Sequence, residues 1–199
     1  MLITVEGLDG SGKTTLIAGL AEAIDATVLR EPGGVELSER IRGLVADPAL
    51  HVDPRAEALL YAAARAQLVA ERLRPLLDAG TTVILDRFVD SSLAYQGGGR
   101  ELGVEAIRAL NAFGTGRLTP DRTLLLRIDP EQGLARIAGR EADRLEQAGE
   151  VFFDAVAGAY DALAAAEPER FAVIAADRPP AQVVADALEA LEPLLSDDA

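Results

Sequence analysis

Cysteine is absent from this chain, so no disulfide can staple it, which fits a reducing compartment such as the cytoplasm. Basic residues are scarce: 19 Lys and Arg face 33 Asp and Glu, a formal net charge of −14. A long nucleic-acid surface needs the opposite excess, so no nucleic-acid partner is expected and the acidity reads as a well-solvated surface. No apolar run reaches the length needed to cross a bilayer, and no membrane partner is expected. The chain enters its first apolar stretch at residue 2, so no secretion signal is expected. The only histidine, His51, lies in a polar, proline-flanked stretch and reads as a surface residue rather than a ligand. Internal repeats, linkers and low-complexity runs are missing as well, so residues 1–199 are expected to form a single domain.

What is present begins with Gly7-Leu8-Asp9-Gly10-Ser11-Gly12-Lys13-Thr14, followed by Thr15. Gly, four residues, then Gly-Lys-Ser/Thr is the phosphate-loop pattern. Glycines allow a tight bend with successive N–H groups turned inward, which makes an anion-binding concavity. Residues 2–5 before it read as a buried strand. After it, Leu16, Ile17, Leu20, Ala21 and Ile24 recur at helical spacing. A helix starting near Lys13 points its positive end into the same space. Lys13 would place a charge over the β- and γ-phosphates, and Thr14 would offer its hydroxyl to Mg²⁺. The expected ligand of residues 7–15 is a nucleoside triphosphate with Mg²⁺.

Strand and helix then alternate, which predicts an α/β fold with a parallel sheet covered on both faces. Further strands are expected at 26–29, 81–85, 122–128 and 172–174, five in all. Asp53-Pro54 starts a long helix, with Asp as N-cap and Pro at the first helical position, running to about residue 78 with a kink near Pro75. Tyr61 and Arg65 share one of its faces. That pairing suits a core tyrosine with a surface arginine as well as a ring and a guanidinium turned to a ligand. The third strand ends in Asp86-Arg87. An Asp there is the usual companion of a phosphate loop as a Mg²⁺ ligand. The arginine after it sets a positive fork at the sheet edge, suited to a second phosphate. Ser91, Ser92, Tyr95 and Gln96 either line a polar pocket or lie in a surface loop, with Gly97-Gly98-Gly99 as a flexible turn. Arg136, Arg140 and Arg144, at spacing four in an acidic chain, form either a solvated helix face or a mobile lid at about 136–149 that lays arginines over transferring phosphates.

Two phosphate-binding elements thus face one sheet edge: the phosphate loop, and Arg87 with Arg42. A regulatory GTPase would need a guanine-reading Asn-Lys-x-Asp segment, which is lacking. A P-loop assembly ATPase has no use for the second phosphate site. The parts suit a nucleoside monophosphate kinase.

The chain resembles bacterial thymidylate kinases over nearly its whole length. The resemblance is carried by residues 6–15, by Arg30-Glu31-Pro32-Gly33-Gly34, Leu60-Tyr61-Ala62-Ala63-Ala64-Arg65, Asp86-Arg87-Phe88, residues 91–100 and Asp143-Arg144-Leu145-Glu146. It implies a three-layer P-loop kinase fold and γ-phosphoryl transfer from ATP to dTMP, with a kinase for dUMP, UMP or CMP as the alternative. It further implies that Tyr61, where the family more often has Phe, stacks on thymine, that Arg65 donates to a thymine carbonyl, and that Ser92 and Gln96 complete the base edge. Asp9 would bind near the sugar 3′-hydroxyl and Tyr95 would crowd the 2′ position. Arg87 and Arg42 would hold the acceptor phosphate, with Glu31 and Ser91 alongside. Lys13, Arg87, Asp9 and Arg140 would serve the reaction itself, Thr14 and Asp86 the metal. A homodimer built through helices is also implied. The lid departs from the family: relatives carry a denser arginine run, and Gly139 here precedes Arg140.

Overall fold

The structure, a computed structural model, describes residues 1–139 and 144–196. Arg140 and Asp143 lie outside the described residues, as do 197–199, where fraying from residue 196 on is expected from the sequence. Five strands, β1 (Leu2–Gly7), β2 (Thr27–Arg30), β3 (Val83–Asp86), β4 (Arg122–Arg127) and β5 (Phe171–Ala175), pair in the order β2-β3-β1-β4-β5, every pair parallel. Along β3, Val83 and Leu85 enter one apolar cluster with Leu2, Leu68 and Phe88, while Ile84 enters another with Ile3, Leu16, Leu20 and Leu191. Side chains alternate across a strand, so apolar residues on both sides mean a sheet covered on both faces. This is the expected three-layer α/β arrangement.

The covering helices are α1 (Lys13–Ala23), α2 (Glu36–Ala46), α3 (Pro54–Leu68), α4 (Arg74–Asp78), α5 (Val89–Ser92), α6 (Val104–Thr115), α7 (Pro130–Ile137), α8 (Glu150–Ala166) and α9 (Pro180–Ser196). Asp53 and Asp129 cap α3 and α7 as their sequences require, each accepting a hydrogen bond from the backbone N–H two residues on, and Pro follows each cap. The break in regular winding expected near Pro75 appears one turn earlier. Between α3 and α4 the chain is wound as a π-helix over Val69–Leu73. Pro75 has no N–H for the carbonyl four residues back and its ring pushes against it, so the preceding turn widens.

The stretch after β3 corrects the surface-loop alternative. α5 runs on as a π-wound segment, Leu93–Gly99, and residues 90–97 are buried. Its glycines are not a flexible turn. A Cβ on Gly98 would lie 2.6 Å from Cβ of Ala159, and one on Gly99 would lie 2.5 Å from the Phe152 ring, so their bareness lets α8 pack directly on this segment.

The carboxyl ends of β1, β2 and β3 open on one edge, where open α/β sheets place their ligands. Register sets Asp86 beside both Val5 and Arg30, which brings together the starts of the phosphate loop, the Glu31 turn and the Asp86-Arg87 segment.

Candidate active site

The phosphate loop joins β1 to α1. Lys13 is buried and folds back, donating to the carbonyls of Gly7 at 3.2 Å and Leu8 at 2.9 Å, with Asp9 3.8 Å away. Burial, reinforced by the charge of Arg87, pushes its ammonium down to about 8 against the pull of Asp9 and Asp86. Thr14 is exposed in the first turn of α1. Oδ1 of Asp86 and Oγ of Ser11 are buried without a hydrogen-bond partner among the described residues. Buried polar atoms are normally paired, so an orphaned carboxylate oxygen beside a phosphate loop suits a cation or its bound water. Among the described residues no group of three or more acidic or histidine side chains could hold a metal, so an ion here would draw most ligands from phosphate oxygens and water. The loop is braced from behind. A Cβ on Gly10 (φ +78°) would lie 2.1 Å from the carbonyl oxygen of Gly133 in α7, and one on Gly133 would lie 2.9 Å from that of Asp9.

Arg87 joins this loop to a second cavity. Its backbone is left-handed (φ +66°) and its N–H donates to Val5 at 3.0 Å. The guanidinium donates to Asp9 at 2.5 Å, Ser91 at 3.1 Å, the Gly7 carbonyl at 3.2 Å and the Tyr95 hydroxyl at 3.4 Å, and it lies 5.1 Å from the Tyr95 ring centre. Burial alone would raise the Asp9 carboxyl, but Arg87 and Lys13 outweigh it and hold it below its ordinary value. The Tyr95 hydroxyl also donates to Asp9 at 3.3 Å, and burial keeps it protonated far above its usual range.

The second cavity, about 140 Å³, brings together every residue the sequence assigned to the acceptor: Asp9, Glu31, Arg42, Tyr61, Arg65, Arg87, Ser91, Ser92, Tyr95 and Gln96. At its floor lies buried Arg65, which donates through Nε to Glu31 at 2.6 Å, through Nη1 to Ser92 at 2.9 Å and to Asn111, and through Nη2 to the Phe88 carbonyl at 2.8 Å. An arginine has five N–H donors, so these bonds leave one on Nη2. Burial pushes Glu31 up to about 7 although Arg65 pulls the other way, and its Oε1 is buried without a partner among the described residues. Arg42 is exposed at the rim and donates to the Pro32 carbonyl at 3.0 Å.

The basic cluster divides between the two cavities. Arg136 donates to the carbonyls of Gly10 and Ala176 and lines a cavity of about 260 Å³ with Gly12, Thr15 and Arg178, on the phosphate-loop side. Arg144 goes to the side of the second cavity. It pairs with Glu57 at 2.7 Å and donates to the carbonyls of Val45 and Ala46, and Leu145 lines that cavity. A wider groove of about 610 Å³ between α7 and α8 carries Asp129, Asp154, Asp161 and Asp177 against Arg127, a charge that repels phosphates.

Sequence reasoning passed over the residues that hold these side chains in place. Glu6, fully buried, accepts from the backbone N–H of Phe88 and Ser91 and from the hydroxyls of Ser91 and Tyr160. Asn111 and Tyr160 come from distant helices, and no local pattern marks them. Glu57 does carry a signal: with Tyr61 and Arg65 it stands at spacing four on one face of α3.

Comparison with known proteins identifies the family. Residues 5–187 match the family model described as Thymidylate kinase. Among curated proteins, the thymidylate kinase of Deinococcus radiodurans is 50% identical over 192 residues, covering 94% of this chain and 93% of that protein. The thymidylate kinase of Lactobacillus delbrueckii subsp. bulgaricus is 48% identical, covering 92% and 91%. The crystal structure of thymidylate kinase from Ehrlichia chaffeensis aligns with a TM-score of 0.79 at 31% identity, covering 96% of this chain and 98% of that one. The chain therefore belongs to the thymidylate kinase family of nucleoside monophosphate kinases.

Proposed function

We propose that this chain transfers the γ-phosphoryl group of ATP to dTMP, giving ADP and dTDP, with the donor in the phosphate loop and the acceptor in the Tyr61–Arg65–Gln96 cavity. The observation that carries this reading is the junction at Asp9, where Lys13 from the donor side and Arg87 from the acceptor side converge at 3.8 and 2.5 Å. Two phosphates drawn to those two cations come to lie end to end, the arrangement in-line transfer requires. The acceptor oxygen belongs to a phosphate that is already anionic, so the protein need not remove a proton. Its work is positioning and charge neutralisation. Thr14 and Asp86 would hold Mg²⁺ directly or through water, and the ion would supply neutralisation of charge on the donor phosphates. Arg87 and Arg42 hold the acceptor phosphate, with Glu31 and Ser91 beside them.

Tyr61 stacks on the thymine ring, the remaining Nη2 donor of Arg65 serves a ring carbonyl, and Ser92 and Gln96 complete the edge. Asp9, kept ionised, accepts from the 3′-hydroxyl, and the Tyr95 ring fills the 2′ side. Residues 136–149 act as the lid, with Arg140 meeting the transferred phosphoryl. The chain works as a single domain in the cytoplasm, without nucleic-acid or membrane partners. Its net charge of −14 supports the first of these, and among the described residues no helix is long and apolar enough to cross a membrane. It pairs as a homodimer through α3 and α6, which present the exposed apolar residues Leu59 and Phe113. Incubation with ATP, Mg²⁺ and a panel of monophosphates tests the assignment: dTMP is expected to turn over fastest, and equal turnover of CMP would refute it.

A further inference from the structure

Glu57 is a carboxylate with no exposed surface, set on α3 one turn before Tyr61. A buried carboxylate persists only where hydrogen bonds and opposite charge replace its water. Its Oε2 meets Nη2 of Arg144 at 2.7 Å and Nη2 of Arg100 at 3.2 Å. Its Oε1 accepts from Nε2 of Gln96 at 2.9 Å and from Nε of Arg100 at 3.4 Å. An ionised carboxylate accepts and never donates, so the Gln96 amide can meet it only through its NH₂ group. That choice settles the other branch of the amide. Gln96 lines the acceptor cavity, and no hydrogen bond to its Oε1 is made among the described residues. The group left for a ligand is a carbonyl, an acceptor.

We propose that Glu57 is a positioning residue for base selection: by holding the NH₂ of Gln96 it presents Oε1 to the base edge and favours a ring that carries an N–H there. Thymine has that N–H at N3. Cytosine has a bare ring nitrogen, which would face the Gln96 oxygen lone pair to lone pair. A site whose polar group is fixed in one sense rejects the analogue of opposite sense, because the mismatch leaves a buried group unpaired. The inference rests on the thymine ring lying in this cavity.

The test compares kcat/KM for dTMP and 5-methyl-dCMP, which share methyl group, sugar and phosphate and differ only along this edge. Glu57→Gln keeps the shape but offers an amide that can pair with Gln96 in either sense. It is expected to lower the dTMP to 5-methyl-dCMP ratio by about tenfold, the worth of one hydrogen bond. Loss of the arginine pairs would affect both substrates alike and cancels in the ratio. Gln96→Leu should lower the ratio similarly, and the double variant should fall no further. Additive falls, or an unchanged ratio in Glu57→Gln beside a lowered one in Gln96→Leu, would overturn the role of Glu57 alone. An unchanged ratio in Gln96→Leu would remove the base-edge role of Gln96, and the proposal with it. A readout independent of any folding defect in Glu57→Gln uses the wild-type protein. The side-chain NH₂ protons of Gln96, identified by their loss in Gln96→Leu, should exchange slowly with and without dTMP. Fast exchange in either state would overturn the proposal.

Discussion

Lys13 carries the most quantitative consequence of the site. In the free protein burial and Arg87 bring its ammonium from 10.5 to about 8. At about 1.4 kcal/mol per pH unit, that is roughly 3 kcal/mol held against the charged form. A nucleotide phosphate placed on the loop supplies the missing counter-charge, so the bound lysine regains its proton affinity. At pH 7 about nine-tenths of Lys13 is already protonated and ADP binding should take up only about 0.1 proton. At pH 9 about nine-tenths is neutral, so binding should take up nearly one proton and weaken about tenfold. Calorimetric titration of ADP with Mg²⁺, in buffers of different ionisation enthalpy at the two pH values, reads the uptake directly. The stability of the free protein moves the opposite way with pH. The unfolded chain binds the extra proton between pH 8 and 10.5, so this group penalises folding below pH 8 and the penalty lifts through that window. Lys13→Met should therefore raise the melting temperature at pH 7 and erase the proton uptake at pH 9. Negligible uptake by the wild type at pH 9, or full uptake by the variant, would refute the reasoning.

Tyr95→Phe keeps the ring against Arg87 and should keep the preference for dTMP over its ribose analogue. Tyr95→Ala opens the 2′ side and should weaken that preference, measured as the ratio of kcat/KM values. The arginines of the cluster should separate by parameter. Arg140→Ala is expected to lower kcat on the order of 10³-fold with dTMP binding nearly unchanged, whereas Arg144→Ala, paired with Glu57, should chiefly raise KM for dTMP. Wild-type kcat in Arg136→Ala, Arg140→Ala and Arg144→Ala alike would remove the cluster from the transfer step.

The phosphate loop was legible in the sequence because its function resides in backbone geometry, and glycine spacing writes backbone geometry into the chain locally. The strand endings were legible for a similar reason: Asp86-Arg87 abruptly closes an apolar run. The face shared by Tyr61 and Arg65 followed from helical periodicity, but whether Arg65 was surface or floor did not. Its burial depends on Glu31, Ser92 and Asn111, which arrive from three distant segments. The same holds for the segment after β3. Its Ser, Gln and Gly residues suit a loop by composition, and only the packing of Phe152 and Ala159 against bare glycines winds it as a buried helix. Arg144 shows the limit of charge spacing, for the even interval from Arg136 to Arg144 carries no information that Glu57 waits beside the second cavity.

The contact between Gly10 and Gly133 leaves the chain no way to drift at either position. Most close contacts can be inherited through change, with a larger residue on one side balanced by a smaller one on the other. Here both partners are already the smallest residue there is, and what meets is backbone against backbone. A side chain at Gly10 has no compensating substitution at Gly133, nor the reverse, so the spacing between the phosphate loop and α7 can be lost in one step but not retuned. Since α7 also carries Arg136, whose guanidinium reaches the Gly10 carbonyl, the donor loop and the basic side chain beside it are held at a fixed distance by two residues with nothing left to give up.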